Sequence, residues 1–112
     1  MSETRLNAYH IMWLLVMFDL PTITKFDKKN SAKFRKDLEK DGFVMLQFSV
    51  YIRYCASLES ANVHIKRIRR IAPNRGMISI VMITDKQYSG IINIWGKVEK
   101  KVSHTPLQLE FF

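Results

Sequence analysis

The first clear pattern along the chain is an unbroken apolar run over residues 11–18, which predicts a strand covered on both faces. Asp19-Leu20-Pro21-Thr22 ends it, because proline cannot donate to a strand ladder and restricts the residue before it. A helix is predicted over roughly residues 25–41, with Thr24 or Asp27 as its cap. Phe34 and Leu38 lie four apart on its inner side, and Lys28, Lys29, Lys33, Lys36 and Lys40 line the wetter one. Gly42 is the expected C-terminal stop.

Alternation takes over next. Leu46, Phe48, Val50, Ile52 and Tyr54 fall on one face of an extended segment, and Gln47, Ser49, Tyr51 and Arg53 on the other. A break near residues 47–50 turns this segment into a hairpin. A second helix follows over residues 58–72, its buried stripe formed by Leu58, Ala61, Ile65, Ile68 and Ala72. Lys66, Arg67 and Arg70 land opposite that stripe, with Arg69 on its flank. Pro73-Asn74-Arg75-Gly76 makes a turn, residues 77–84 form another strand ended by Asp85-Lys86, and residues 91–95 read as a short strand before Gly96. The order predicts an α+β chain, a ferredoxin-like βαββαβ sandwich with an additional C-terminal strand and two helices on one face of an antiparallel sheet. Its domain spans residues 1–96, with the core over 10–96. Residues 97–112 form a tail in which the alternating 107–112 segment is the candidate docking or edge strand. The sheet's other face needs a cover, and in so short a chain a homodimer supplies it most economically.

Composition narrows the class. The chain has 112 residues, 47% hydrophobic and 25% charged, with four Gly and three Pro, which excludes repeat, collagen-like and disordered classes. The apolar run falls far short of the roughly 18 residues of a membrane helix. No small-residue cleavage site follows it, so neither a membrane segment nor a signal peptide is expected. A single cysteine, Cys55, excludes an internal disulfide and a thiolate cage and suits a reducing cytoplasm. Eighteen Lys and Arg against ten Asp and Glu give a formal charge of +8. That charge points to a polyanionic partner, nucleic acid being the commonest, with an anionic membrane surface or an acidic protein as alternatives.

Three constellations could carry chemistry. Asp19 closes a rigid strand, where a carboxylate could meet a hard cation or simply begin a turn. One carboxylate is too few for a tight site, although a dimer would bring a second copy. Lys66, Arg67, Arg69, Arg70 and Arg75 crowd ten positions, with Glu59 the only acid nearby in sequence. They could face a phosphate backbone or be a solvated helix face. Arg53 suits a phosphate, a cross-subunit carboxylate or an intramolecular pair. His10, His64 and His104 show no ligand spacing, and no phosphate loop or nucleophile elbow is present.

The segments Val16-Met17-Phe18-Asp19-Leu20-Pro21-Thr22 and residues 42–53, together with His64, the Arg-Ile-Arg-Arg run, Gly76 and Ile83-Thr84-Asp85-Lys86-Gln87-Tyr88, resemble the CRISPR-associated protein two family over residues 10–96. The resemblance implies a ferredoxin-like homodimer between two dimers of the larger integrase-like adaptation protein, capturing duplex DNA for insertion into the CRISPR array. It places the family's metal-binding and catalytic acid on Asp19 and makes Mg²⁺ the usual metal, with Asp85 a less secure second acid. It also implies a choice between a DNA-holding bridge, for which Arg53 and the five bases of residues 66–75 are the expected contacts, and a stand-alone endoribonuclease or toxin-like RNase. An anion-seeking ridge continuous across the dimer seam is the expectation for the first.

Overall fold

The computed structural model describes residues 11–101; residues 107–112, His10 and His104 lie outside them. The elements run β1 (Met12–Asp19), α1 (Lys25–Lys40), β2 (Val44–Gln47), β3 (Val50–Cys55), α2 (Leu58–Ile71), β4 (Met77–Thr84), α3 (Asp85–Ser89), β5 (Ile92–Trp95) and β6 (Val98–Lys101). Four strands form an antiparallel sheet in the order β2-β3-β1-β4, with β5 and β6 as a separate hairpin. The ferredoxin-like plan predicted from the pattern is present. The expected boundary at residue 96 falls in the turn of the β5–β6 hairpin.

The helix ends follow from local chemistry. Thr24 accepts from the Asp27 amide at 3.0 Å and Asp27 accepts from the Thr24 amide at 3.3 Å, so both expected caps act, as one reciprocal box. At the other end Gly42 takes φ +90°. Its amide donates to Glu39 and that of Phe43 to Leu38, each at 3.0 Å, closing the last turn in a Schellman pattern. In α2 the Ser57 hydroxyl caps the Ser60 amide at 3.1 Å.

Between helices and sheet, Leu14, Val16 and Phe18 of β1 meet Phe34, Leu38, Phe43, Tyr51, Cys55, Ala61 and Ile68. Tyr51 corrects the alternation reading. It is 2% exposed in this core rather than on a polar face. The alternation itself holds within β3: Ile52 and Tyr54 pack on the opposite side with Trp13, while the helices cover the face that carries Tyr51, so both faces of the strand are apolar. What the turn at Phe48-Ser49 changes is Gln47, because Ser49 adopts φ +71° and the register shift between Met45 and Gln47 sets Gln47 beside Val50. Phe48, placed on the apolar face by that period, is 79% exposed at the hairpin tip. His64 likewise joins the buried stripe of α2, whereas Leu58 and Ala72 stay exposed.

The opposite face of the sheet is half covered. At one end Trp13 stacks on Tyr88 of α3, with ring centroids 3.7 Å apart, and donates its indole N–H to Asp85 at 2.8 Å. At the other, Met17, Met77 and Val81 are exposed. Strand registers put Leu15 beside Val81 and Ile52, and Met17 beside Ser79 and Val50, so this is one continuous apolar strip.

Candidate metal centre and nucleic-acid interface

Asp19 ends the second strand from the sheet edge, in register with Met77 of β4. The Phe18 amide donates to Ser49 O at 3.0 Å, tying the strand end to the β2–β3 turn. On the other side Gly76, at φ +98°, comes so near that a Cβ there would lie 2.7 Å from Asp19 O. Only glycine combines that φ with that approach. The Asp19 side chain is exposed and stands outside every ion pair formed among the described residues. A groove of about 370 Å³ beside it is lined by Met17, Phe48, Ser49, Met77 and Ser79.

This donor set fits Mg²⁺ only as a half-site. An unpaired carboxylate on a rigid backbone is a suitable ligand for an ion that keeps several waters and takes further oxygens from phosphate. Among the described residues no group of three or more His, Cys, Asp or Glu could enclose a metal. Asp85 cannot be the second ligand within one chain. Thr84 pairs with Met12 and Met77 with Asp19, so the two acids sit at opposite ends of β1, roughly 23 Å apart at about 3.3 Å per residue. Asp85 is held instead by the Trp13 indole.

The basic candidates divide into three groups. Arg53 is turned inward: Nε donates to Asp41 O at 2.7 Å and Nη1 to Tyr54 O at 2.6 Å. Its intramolecular role therefore prevails, with carbonyls as partners rather than a carboxylate. Arg67 donates to Asp41 Oδ1 at 2.7 Å, while His64 Nδ1 lies 2.7 Å from the other oxygen of the same carboxylate. Arg75 donates to both oxygens of Asp27, at 2.9 and 3.1 Å. Both arginines nevertheless keep more than half of their side chains in solvent. Lys66, Arg69 and Arg70 are exposed and take part in no ion pair among the described residues.

Glu59 is thus not the only acid near the basic helix, because folding brings Asp41 and Asp27 of the α1 termini to it. Sequence reasoning also passed over Arg35. Its Nη2 donates to Ser49 Oγ at 2.7 Å and its guanidinium lies 3.8 Å from the centroid of the Phe48 ring, clamping the turn beside Asp19. The β2–β3 turn is 14 residues away from it in sequence, beyond any helical spacing.

Comparison with known proteins assigns the family. The family described as CRISPR associated protein Cas2 matches residues 12–91. A CRISPR-associated endoribonuclease Cas2 of Flavobacterium psychrophilum is 50% identical over 109 residues, covering 97% of this chain and 95% of that protein. Proteins of the same name from Parvibaculum lavamentivorans and Paracidovorax avenae are 46% and 38% identical, covering 90% and 96% of this chain and 100% and 99% of theirs. A match that spans β1 to α3, joined to identities of this size over nearly whole chains, makes the assignment: this chain belongs to the CRISPR-associated Cas2 family.

Proposed function

We propose that the protein is a homodimeric bridge of the CRISPR spacer-integration complex, holding duplex DNA between two dimers of the larger integrase-like adaptation protein in the cytoplasm. The observation that carries this reading is an imbalance. Among the described residues the Asp19 carboxylate has no ion-pair partner, whereas Lys66, Arg69 and Arg70 take part in no ion pair on one helix, with Arg67 and Arg75 half exposed beside them. Such a surface binds phosphates without reading sequence. The apolar strip of Leu15, Met17, Val50, Met77 and Val81 supports the dimer, since a second copy laid there removes it from water.

That placement changes one expectation. With the open faces together, the two α2 helices lie on opposite outer surfaces, and the ridge across the seam does not form; each protomer offers its own basic surface. An edge-to-edge pair through β4 would preserve the ridge but leave the apolar strip wet, so the face-to-face pair is favoured.

The second reading is a Mg²⁺-dependent endonuclease, favoured by the names of the relatives and by the uncommitted Asp19. Asp19 of both copies would hold the ion, which supplies charge stabilisation at a phosphate and activation of a water. An Asp19→Ala variant separates the two. Spacer insertion by the reconstituted complex is expected to survive while any Mg²⁺-dependent cleavage disappears. Loss of insertion, with dimerisation and stability intact, would make the acid essential and overturn the bridging role.

A further inference from the structure

A cavity of about 340 Å³ opens between the first turns of α1 and the end of α2, a size at the lower end of the roughly 300–1,000 Å³ range of small-molecule clefts. Lys33, Arg70 and Arg75 face it against one carboxylate, Asp27. That carboxylate is 3% exposed and already engaged. It accepts from the Thr24 amide through Oδ2 and from Arg75 Nη1 through both oxygens. Its effect is to hold the Arg75 guanidinium at the wall, with that side chain 61% exposed and other N–H donors turned to no acid among the described residues. Arg70 has no acidic partner among the described residues, and Lys33 pairs with Asp37 at 2.7 Å. The cavity is therefore cationic overall. Phe26 stands on its rim with 69% exposure, although a phenyl ring on a helix normally turns to the core. Asn30, four residues on, shares its helical face and presents an amide to the same space.

We propose that this cleft is a subsite for one unpaired nucleotide. Arg70 and Arg75 grip the phosphate in the fork geometry that guanidinium groups favour, the base lies on the Phe26 ring, and the Asn30 amide meets its edge. An inorganic anion would need neither ring nor amide. A base inside a duplex has no free face to offer, so the ligand is a nucleoside phosphate that is free or sits at an unpaired strand end. The strand-end form rests on the duplex-holding role proposed above; the free form does not.

The test titrates 2′-deoxyadenosine 5′-monophosphate calorimetrically and compares, by fluorescence anisotropy, a blunt duplex with the same duplex carrying one unpaired nucleotide at each end. Saturable binding of the monophosphate but not of deoxyadenosine is expected, as is several-fold tighter binding of the overhanging duplex. Arg70→Ala weakens both signals at least tenfold and Phe26→Ala several-fold; both side chains are exposed, so the fold persists, which thermal melting checks. Lys36→Ala, on an exposed part of α1 outside the cavity, leaves them unchanged. Monophosphate binding without an overhang advantage identifies a free nucleotide, and the converse identifies a strand end; either supports the subsite. Absence of both signals, or signals indifferent to Arg70→Ala and Phe26→Ala, overturns it even where the blunt duplex still binds. Binding of the monophosphate by a protein that ignores duplex DNA would uphold the subsite and remove the bridging role.

Discussion

The two ends of β1 contrast sharply on the face away from the helices. At the Met12 end, Trp13 is fully buried, stacked on Tyr88, edge-on to Tyr54 at 5.5 Å and bonded to Asp85. At the Asp19 end, Met17 and Met77 are exposed and the carboxylate is unpartnered by any ion pair among the described residues. The same strand is thus sealed at one end by α3 and left bare at the other. The difference teaches where stability and recognition reside: packing is concentrated at the end that α3 covers, and the exposed apolar side chains and the Asp19 carboxylate lie where a second molecule can reach them.

The comparison breaks most severely at the sealed end. Trp13→Ala removes the indole from between Tyr54 and Tyr88 and leaves Asp85 without its donor, and is expected to cost about 3–5 kcal/mol in urea unfolding. Asp19→Ala, at the bare end, should change stability by no more than about 0.5 kcal/mol. Equal losses would mean that the ends do not differ as described.

Next comes Met77→Glu, which puts a charge on the bare strip. If that strip is the dimer seam, self-association measured by sedimentation should weaken on the order of a hundredfold, the scale of burying an unpaired charge, while the protomer keeps its fold. A dimer indifferent to the change would move the seam elsewhere, an edge-to-edge pair included. Gly76→Ala acts on the backbone behind Asp19. A Cβ 2.7 Å from Asp19 O at φ +98° should cost roughly 1–3 kcal/mol and displace the strand end. A variant of native stability would show that the approach is slack.

The smallest effect belongs to Tyr88. Its hydroxyl is buried with no hydrogen-bond partner among the described residues, and burial, with Asp85 nearby, pushes its pKa from 10.0 to about 12. The folded chain thus holds the phenol proton more tightly than the unfolded chain. This contribution to stability is intact below pH 10 and is lost as pH rises towards 12. Tyr88→Phe should be neutral or stabilising by up to about 1 kcal/mol at pH 7, and should flatten that alkaline loss in pH-dependent denaturation. An unchanged alkaline limb would assign it to other groups.

Much of the fold was legible because neighbouring residues decide it. The apolar run of β1, the reciprocal cap of Thr24 and Asp27 and the glycine stop at Gly42 are all local, and each appears where the pattern put it. The short helix α3 went unread although Thr84 and Gln87 carry the spacing of a capping box. The face of Tyr51 reads as polar because Gln47, Ser49 and Arg53 share its period, whereas the helices packed over that face bury it. The candidate site was legible only in part. Asp19 could be placed, because its position depends on the strand it ends. Which cations remain free could not be read from spacing, since Asp41 reaches Arg67 across 26 residues and Asp27 reaches Arg75 across 48.

By itself, the amino-acid order settled the succession of the four sheet strands and the two long helices, the basic excess and the acid at the strand end, because these follow from periodicity, composition and caps spanning a few residues. Only the tertiary structure decided that Arg53 is internal, that His64 is buried against Asp41, and that one end of β1 is sealed while the other is bare. The reason is physical: burial and charge pairing depend on distances through space, and those exist only after the sheet and its helices have packed.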